Sequence, residues 1–182
     1  MSKTDSSAEE RMHDMPESKR LYLYGGAYAT TDDARADLDH LRELHGDRHI
    51  GRYDAVAISR KPDGSVSIVD VDATVRGAGA WKGALAGGAL MVLFPPSILL
   101  GVAAGAAAGA IANDMNKHIT RSDAKGLAEL LAPGESGVLV VAEDIEDAYS
   151  GALLRRATRQ RALAIDADAD VVEEALRAAR EG

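Results

Sequence analysis

The sequence predicts an α+β protein: a ferredoxin-like split-βαβ domain with an inserted Gly/Ala-rich helical hairpin and a C-terminal α-β-α extension. Three observations predict it. Short Val/Ile/Leu/Tyr-rich runs alternate with capped helical periodicities in the order βαββαβ once one insertion is set aside. That insertion contains thirty consecutive residues, 83–112, without a formal charge. Glycines recur there every fourth position, at Gly79, Gly83 and Gly87 before Pro95–Pro96 and at Gly101, Gly105 and Gly109 after it.

Taken in chain order, residues 1–19 are rich in Ser, Glu and Asp and read as a disordered polar tail. Residues 20–76 form the first part of the α+β domain. Leu21–Tyr28 is an apolar strand. Thr31-Asp32-Asp33 then supplies a cap and an acidic first turn, Ala34, Leu38, Leu41 and Leu44 recur at helical spacing, and Gly46 ends the helix. Tyr53–Ser59 is a second strand, Lys61-Pro62-Asp63-Gly64 a turn, and Val66, Ile68 and Val71 mark the returning strand. Residues 77–116 are the hairpin. Residues 117–182 complete the domain: a helix capped at Ser122-Asp123 and stopped at Pro133-Gly134, an apolar strand over 137–142, a helix from Ile145 to Gln160, a short strand over 162–165, and a last helix from Asp168 to Arg180.

Glycine every fourth residue places three glycines on one face of each arm, so a second backbone can approach closely. In water such helices are poor, since each interior Gly costs about 0.5–1 kcal/mol relative to Ala. Tight packing must return that energy. Residues 79–94 and 97–113, taken as helices, measure about 24 and 25 Å, slightly short of the ~30 Å hydrocarbon core. Trp81 with Lys82 at one mouth, and Lys117 with His118 and Arg121 at the other, read as interfacial anchors, with both ends facing the cytoplasm. Pro95 and Pro96 make the hairpin turn.

From Tyr53 to about Asp144 the chain resembles a bacterial family of uncharacterised, predicted membrane proteins with a glycine-zipper hairpin. The residues that carry this are Gly79-Ala80-Trp81-Lys82-Gly83-Ala84-Leu85, the Leu-rich turn, Gly101-Val102-Ala103-Ala104-Gly105-Ala106-Ala107-Ala108-Gly109, and 130–141 from Leu130 through Pro133-Gly134 to Val141. Pro95–Pro96 is one proline more than the resemblance leads one to expect. The family has no catalytic motif to transfer, so the resemblance implies a hairpin and no reaction.

Composition narrows the function classes. A net charge of −8 argues against nucleic acid as a partner. The absence of cysteine removes disulfides, thiolate metal sites and Cys nucleophiles, and fits a cytoplasmic or cytoplasm-facing protein. The N-terminus has no apolar signal segment. Gly77 to Gly83 superficially matches a dinucleotide loop, but its spacing is G-x-G-x-x-x-G and no acid follows at ribose distance. Asp166-Ala167-Asp168-Ala169-Asp170 lacks the Gly and the final Glu of a calcium loop, and reads as helix capping. His40, His45 and His49 read as a solvated helix end, with Gly46 separating the last two. Arg155, Arg156, Arg159 and Arg161 form a basic cluster that meets either anionic headgroups or nearby acids.

The leading expectation is therefore a non-enzymatic, self-associating membrane protein, without cofactor or metal, whose partners are itself and membrane lipid. Gly79, Gly83, Gly87, Gly101, Gly105 and Gly109 carry its helix contacts; Trp81, Lys82 and Lys117 set its depth. The alternative is a cytoplasmic homo-oligomer whose hairpins form a buried hub. An intramolecular helix pair serving only the fold is a further reading of the hairpin. A third class of function is a sensory domain binding a small molecule in a cavity under the sheet.

Overall fold

The computed structural model describes residues 20–74, 84–100, 106–143, 145 and 151–168. The expected tail, the hairpin mouth at 75–83, residues 101–105 and nearly all of the last helix lie outside them. The fold is α+β, as predicted. Its strands are β1 (Arg20–Tyr28), β2 (Tyr53–Arg60), β3 (Val66–Ala73), β4 (Leu99–Leu100), β5 (Ser136–Glu143) and β6 (Arg159–Asp168). Its helices are α1 (Thr31–Gly46), α2 (Ala84–Leu93), α3 (Ala106–His118) and α4 (Arg121–Ala128).

One six-stranded sheet runs β4-β3-β2-β5-β1-β6, antiparallel except for the short β3–β4 pair. Two split β-α-β units are present: β1 and β2 are parallel around β5, and β3 and β5 are parallel around β2. The ferredoxin-like expectation needs two corrections: the inner strands of the βαββαβ core are β2 and β5, its second and last, where that fold has its first and third. Helices do not share a single face, the usual α+β arrangement. Helix α1 packs Ala34, Leu38, Leu41 and Leu44 against Tyr24, Tyr28, Ala55, Ala57, Val138 and Val140. The hairpin and α4 cover the other face, with Ala86, Ala89, Leu90 and Leu93 of α2 and Ile111 and Met115 of α3 against Leu21, Leu23, Val56, Ile58, Leu139 and Val141. Strand alternation puts odd and even positions of β5 on these two faces, and all eight of its residues are buried.

Local chemistry explains the element ends. The Thr30 side chain accepts from Asp33 N–H at 3.1 Å and caps α1, one residue before the expected cap. Thr120 caps α4 in the same way through Asp123 N–H, two residues before the expected Ser122. Gly64 takes φ 86° in the β2–β3 turn, where Asp63 Oδ1 accepts from Ser65 N–H. Asp54, 1% exposed, accepts a 3.3 Å hydrogen bond from Ala86 N–H in the first turn of α2, so β2 places a carboxyl at that helix N-terminus.

The hairpin departs from expectation in three respects. Its described parts are 10 residues of α2 and 13 of α3, about 15 and 20 Å, and residues 79–83 and 101–105 of the expected arms lie outside them. No helix among the described residues is long and apolar enough to cross a membrane. Second, the return after the prolines is not a helix from residue 97. Pro96–Ile98 form a 3-10 turn and Leu99–Leu100 then pair in parallel with Val66–Ser67. The sheet edge satisfies backbone groups there that a helix start would leave unpaired. Third, the apolar faces turn inward onto the chain's own sheet. Each large side chain so buried (Leu90, Leu93, Phe94, Ile111, Met115) contributes roughly 1.5–3 kcal/mol, enough to offset the glycine cost.

At the far end, the helix expected over 145–160 is corrected for its described part. Residues 151–158 form turns, and Leu153 and Leu154 are buried on the α1 face. Backbone pairing decides this: Thr158 N–H donates to Ala27 O at 2.8 Å and Arg156 N–H to Asp37 Oδ2 at 2.9 Å, bonds that a helix would have kept to itself. Strand β6 then starts at Arg159, three residues before the expected Ala162.

The two arms touch at Gly88. A Cβ there would lie 2.6 Å from Ile111 Cγ2 and 3.2 Å from Ala112 N, whereas one at Gly109 meets nothing within 4 Å. Gly88→Ala therefore gains about 1 kcal/mol of helix propensity and loses about 1–3 kcal/mol to overpacking, a net destabilisation. Gly109→Ala should stabilise by about 0.5–1 kcal/mol. Urea midpoints at constant m-value check both.

Candidate functional site

The structure distributes the sequence-predicted residues unevenly. Gly79, Gly83, Gly101, Gly105, Trp81 and Lys82 lie outside the described residues. Gly87 and Gly109 are described, and neither would bring a Cβ within 4 Å of another group. The described helix–helix contact thus runs through Gly88, which the every-fourth-residue pattern passes over. Lys117 lies in the last turn of α3, where its Nζ donates to Asp114 Oδ1 at 2.9 Å. There it complements the helix dipole within its own helix. Pro95 and Pro96 are exposed at the tip of the hairpin. Close by on the sheet edge lie Leu100 (44% exposed) and Ile68 (36%), the exposed large hydrophobics among the described residues.

The polar clusters resolve into internal partnerships. His45 Nδ1 lies 2.8 Å from Gly51 O and its ring meets Tyr53 edge-on at 5.7 Å; His40 lies 3.7 Å from Glu43. No group of His, Cys, Asp and Glu suited to a metal ion occurs among the described residues. Of the arginine cluster, Arg156 pairs with Asp33, Arg159 with Glu135 and Arg161 with Asp123.

An open cleft of about 390 Å³ lies between α1 and the 151–158 turns, lined by Asp37, Asp39, His40, Glu43, Arg155 and Arg156 with Ala36. At its floor, buried Asp37 accepts from Tyr28 Oη at 2.9 Å and from Arg156 N–H. Beside it, Tyr53 Oη donates to Asp72, and Arg42 bridges Asp72 (3.4 Å) and Asp39 (2.7 Å). Burial first, and the neighbouring carboxylate second, push both phenols well above the ordinary tyrosine value. They stay protonated at neutral pH and serve as donors, the opposite of an activated nucleophile or base. The cavity under the sheet, lined by Gly25, Gly26, Ile58, Phe94 and Leu139 among others, holds about 10 Å³. That is the room of a single water.

What remains is the boundary of the sheet, which the sequence reading did not single out. The two ends differ. On β3 the edge is blunted: β4 covers Val66 and Ser67, and Asp70 Oδ1 accepts from Val71 N–H at 2.8 Å. On β6 no described strand pairs with the outer edge over its ten residues, and Gln160, Ala162 and Ala164 are exposed. The late start expected for β6, at Ala162, left Arg159 and Arg161 off that strand.

The phenol network carries a pH dependence. Both phenols titrate higher in the fold than in the unfolded chain, which loses its phenol protons from about pH 10 upward. The folded state then holds more protons, and stability falls as pH rises, by up to about 1.4 kcal/mol per unit for each group. Denaturation midpoints between pH 8 and 11 should show this fall. Tyr28→Phe should flatten it while costing roughly 1–3 kcal/mol at pH 7, because Asp37 loses a donor.

No curated protein and no solved structure matches the chain. A family described as a protein of unknown function (DUF1269) matches residues 78–179, more than half of the sequence. Its described strands, β4, β5 and β6, pair among the described residues with β1, β2 and β3, all of which precede the match. On that match, the chain belongs to the DUF1269 family of proteins of unknown function.

Proposed function

We propose that this protein is a non-catalytic association module that binds a second copy of itself and keeps its hairpin as part of its own core. One observation supports this reading above the rest: among the described residues no strand pairs with the outer edge of β6, while the opposite edge is blunted. Long open edges are templates for further strands. The described cavity under the sheet has room for a single water, and the buried phenols are held protonated. Its setting is the cytoplasm or a cytoplasm-facing surface, and nucleic acid is no partner at a net charge of −8.

A second reading is peripheral contact with lipid through the hairpin tip, where Leu100 and Ile68 are exposed near Pro95–Pro96. Spanning is no part of it, since the apolar faces of α2 and α3 are committed to the sheet.

Sedimentation equilibrium of the purified chain at micromolar concentration should give a mass of twice 19.1 kDa without lipid or detergent. A concentration-independent monomer would defeat the association reading. Flotation with vesicles separates the second one: binding abolished by Leu100→Asp supports tip contact, and no flotation of the wild type removes it.

A further inference from the structure

We infer that the cleft between α1 and the 151–158 turns binds a small zwitterion. Its ammonium group meets the Asp37 carboxylate at the floor, and its carboxylate meets the Arg155 guanidinium at the rim. This goes beyond the self-association reading and does not depend on it.

A carboxylate interrupts an apolar stripe. Ala34, Leu38, Leu41 and Leu44 of α1 pack on the sheet, and Asp37 is buried beside them with 1% of its surface exposed. A buried carboxylate is costly unless donors or a cation compensate it. Two donors reach it, Tyr28 Oη and Arg156 N–H, and both go to Oδ2 at 2.9 Å. Both are neutral groups. Among the described residues none donates to Oδ1, and no cationic side chain pairs with Asp37. Holding the 151–158 turns to α1 does not require the charge, since an asparagine oxygen would accept the same two bonds. The carboxylate keeps an acceptor oxygen in hand. Asp37 lines the cleft, which puts that oxygen within reach of a donor seated there.

Most other charges around the cleft are matched. Asp39 accepts from Arg42 at 2.7 Å, Glu43 lies 3.7 Å from His40, and Arg156 lies 3.4 Å from Asp33. Arg155 is exposed and makes no ion pair with a described residue. One anion at the floor and one cation at the rim are left over. The complementary ligand carries one charge of each sign. A simple anion would sit against Asp37, Asp39 and Glu43, and a simple cation against Arg155 and Arg156, so each meets repulsion that a zwitterion avoids. The cleft has about 390 Å³, and its lining is charged apart from Ala36 and His40, which suits a small hydrophilic molecule.

Calorimetric titration of the full chain with straight-chain ω-amino acids, from glycine to aminohexanoate, tests this. The series holds an ammonium and a carboxylate at graded separations. One length should bind best, about tenfold more tightly than butylamine or butyrate, which carry one charge each. Arg155→Ala removes an exposed side chain without an ion pair among the described residues. It should weaken the best amino acid about tenfold and leave butylamine unchanged. Asp37→Asn keeps an acceptor for Tyr28 and for Arg156 N–H, and should abolish binding of amino acid and amine alike. Circular dichroism separates loss of the site from loss of the fold, and if Asp37→Asn unfolds, Arg155→Ala decides alone. No binding by any member of the series at millimolar concentration would overturn the proposal. So would binding that folded Asp37→Asn or Arg155→Ala leaves unchanged, or butyrate binding as tightly as the best amino acid.

Discussion

The burial of β5 on both faces is the constraint from which the rest of this structure follows. Ser136 to Glu143 has β1 on one side, β2 on the other, and a helical layer above and below. Such a strand must be apolar nearly throughout, as Val138-Leu139-Val140-Val141-Ala142 is. Its few polar groups must be partnered. The hydroxyl of Ser136 is 2.9 Å from that of Thr31, and Glu143 takes a two-point bond from Arg52 at 2.8 and 3.0 Å. One helix, α1, can shield only one face. The other needs an apolar layer of comparable size, and the uncharged hairpin with α4 supplies it.

That requirement gives the thirty uncharged residues a physical reason that does not involve lipid. A helix facing a sheet on one side and another helix on a second has little surface left for charge, so a buried layer and a membrane hairpin share one composition. Attachment separates them. Asp54 from β2 reaches the first turn of α2, Leu99–Leu100 lie along β3, and Arg60 sits 5.9 Å over the Phe94 ring while donating to Leu131 O. Each ties the hairpin to the sheet or to the end of α4.

Much of this was legible in the sequence. The caps and periodicity of α1, the β2–β3 turn, the proline turn and the apolar β5 all stand where local chemistry puts them, within one or two residues. The illegible parts depend on partners distant in sequence. Which surface an apolar hairpin covers is not written in its own composition, so it read as a membrane element. Gly87-Gly88 offers two glycines in a row, and only the position of Ile111 shows that the second is the contact. Residues 151–158 carry a helix-like scatter of Leu and Arg, but Ala27 and Asp37 take their backbone donors. That no described strand pairs with the outer edge of β6 follows from sheet order, which no local pattern records.

Family membership adds a structural lesson. The matched segment contains the hairpin and, among the described residues, three strands, none of which pairs with another of the three. The β1-α1-β2-β3 unit that precedes it is therefore the template on which the matched segment is laid. The central claim is that the hairpin belongs to this shared core, and hydrogen exchange on the full chain tests it most directly. The account predicts that amides of 84–93 are protected to the same degree as those of 136–143, and stay so when lipid vesicles are added. Exchange of 84–93 orders of magnitude faster, with 136–143 still protected, would show a hairpin free of the sheet and would contradict it.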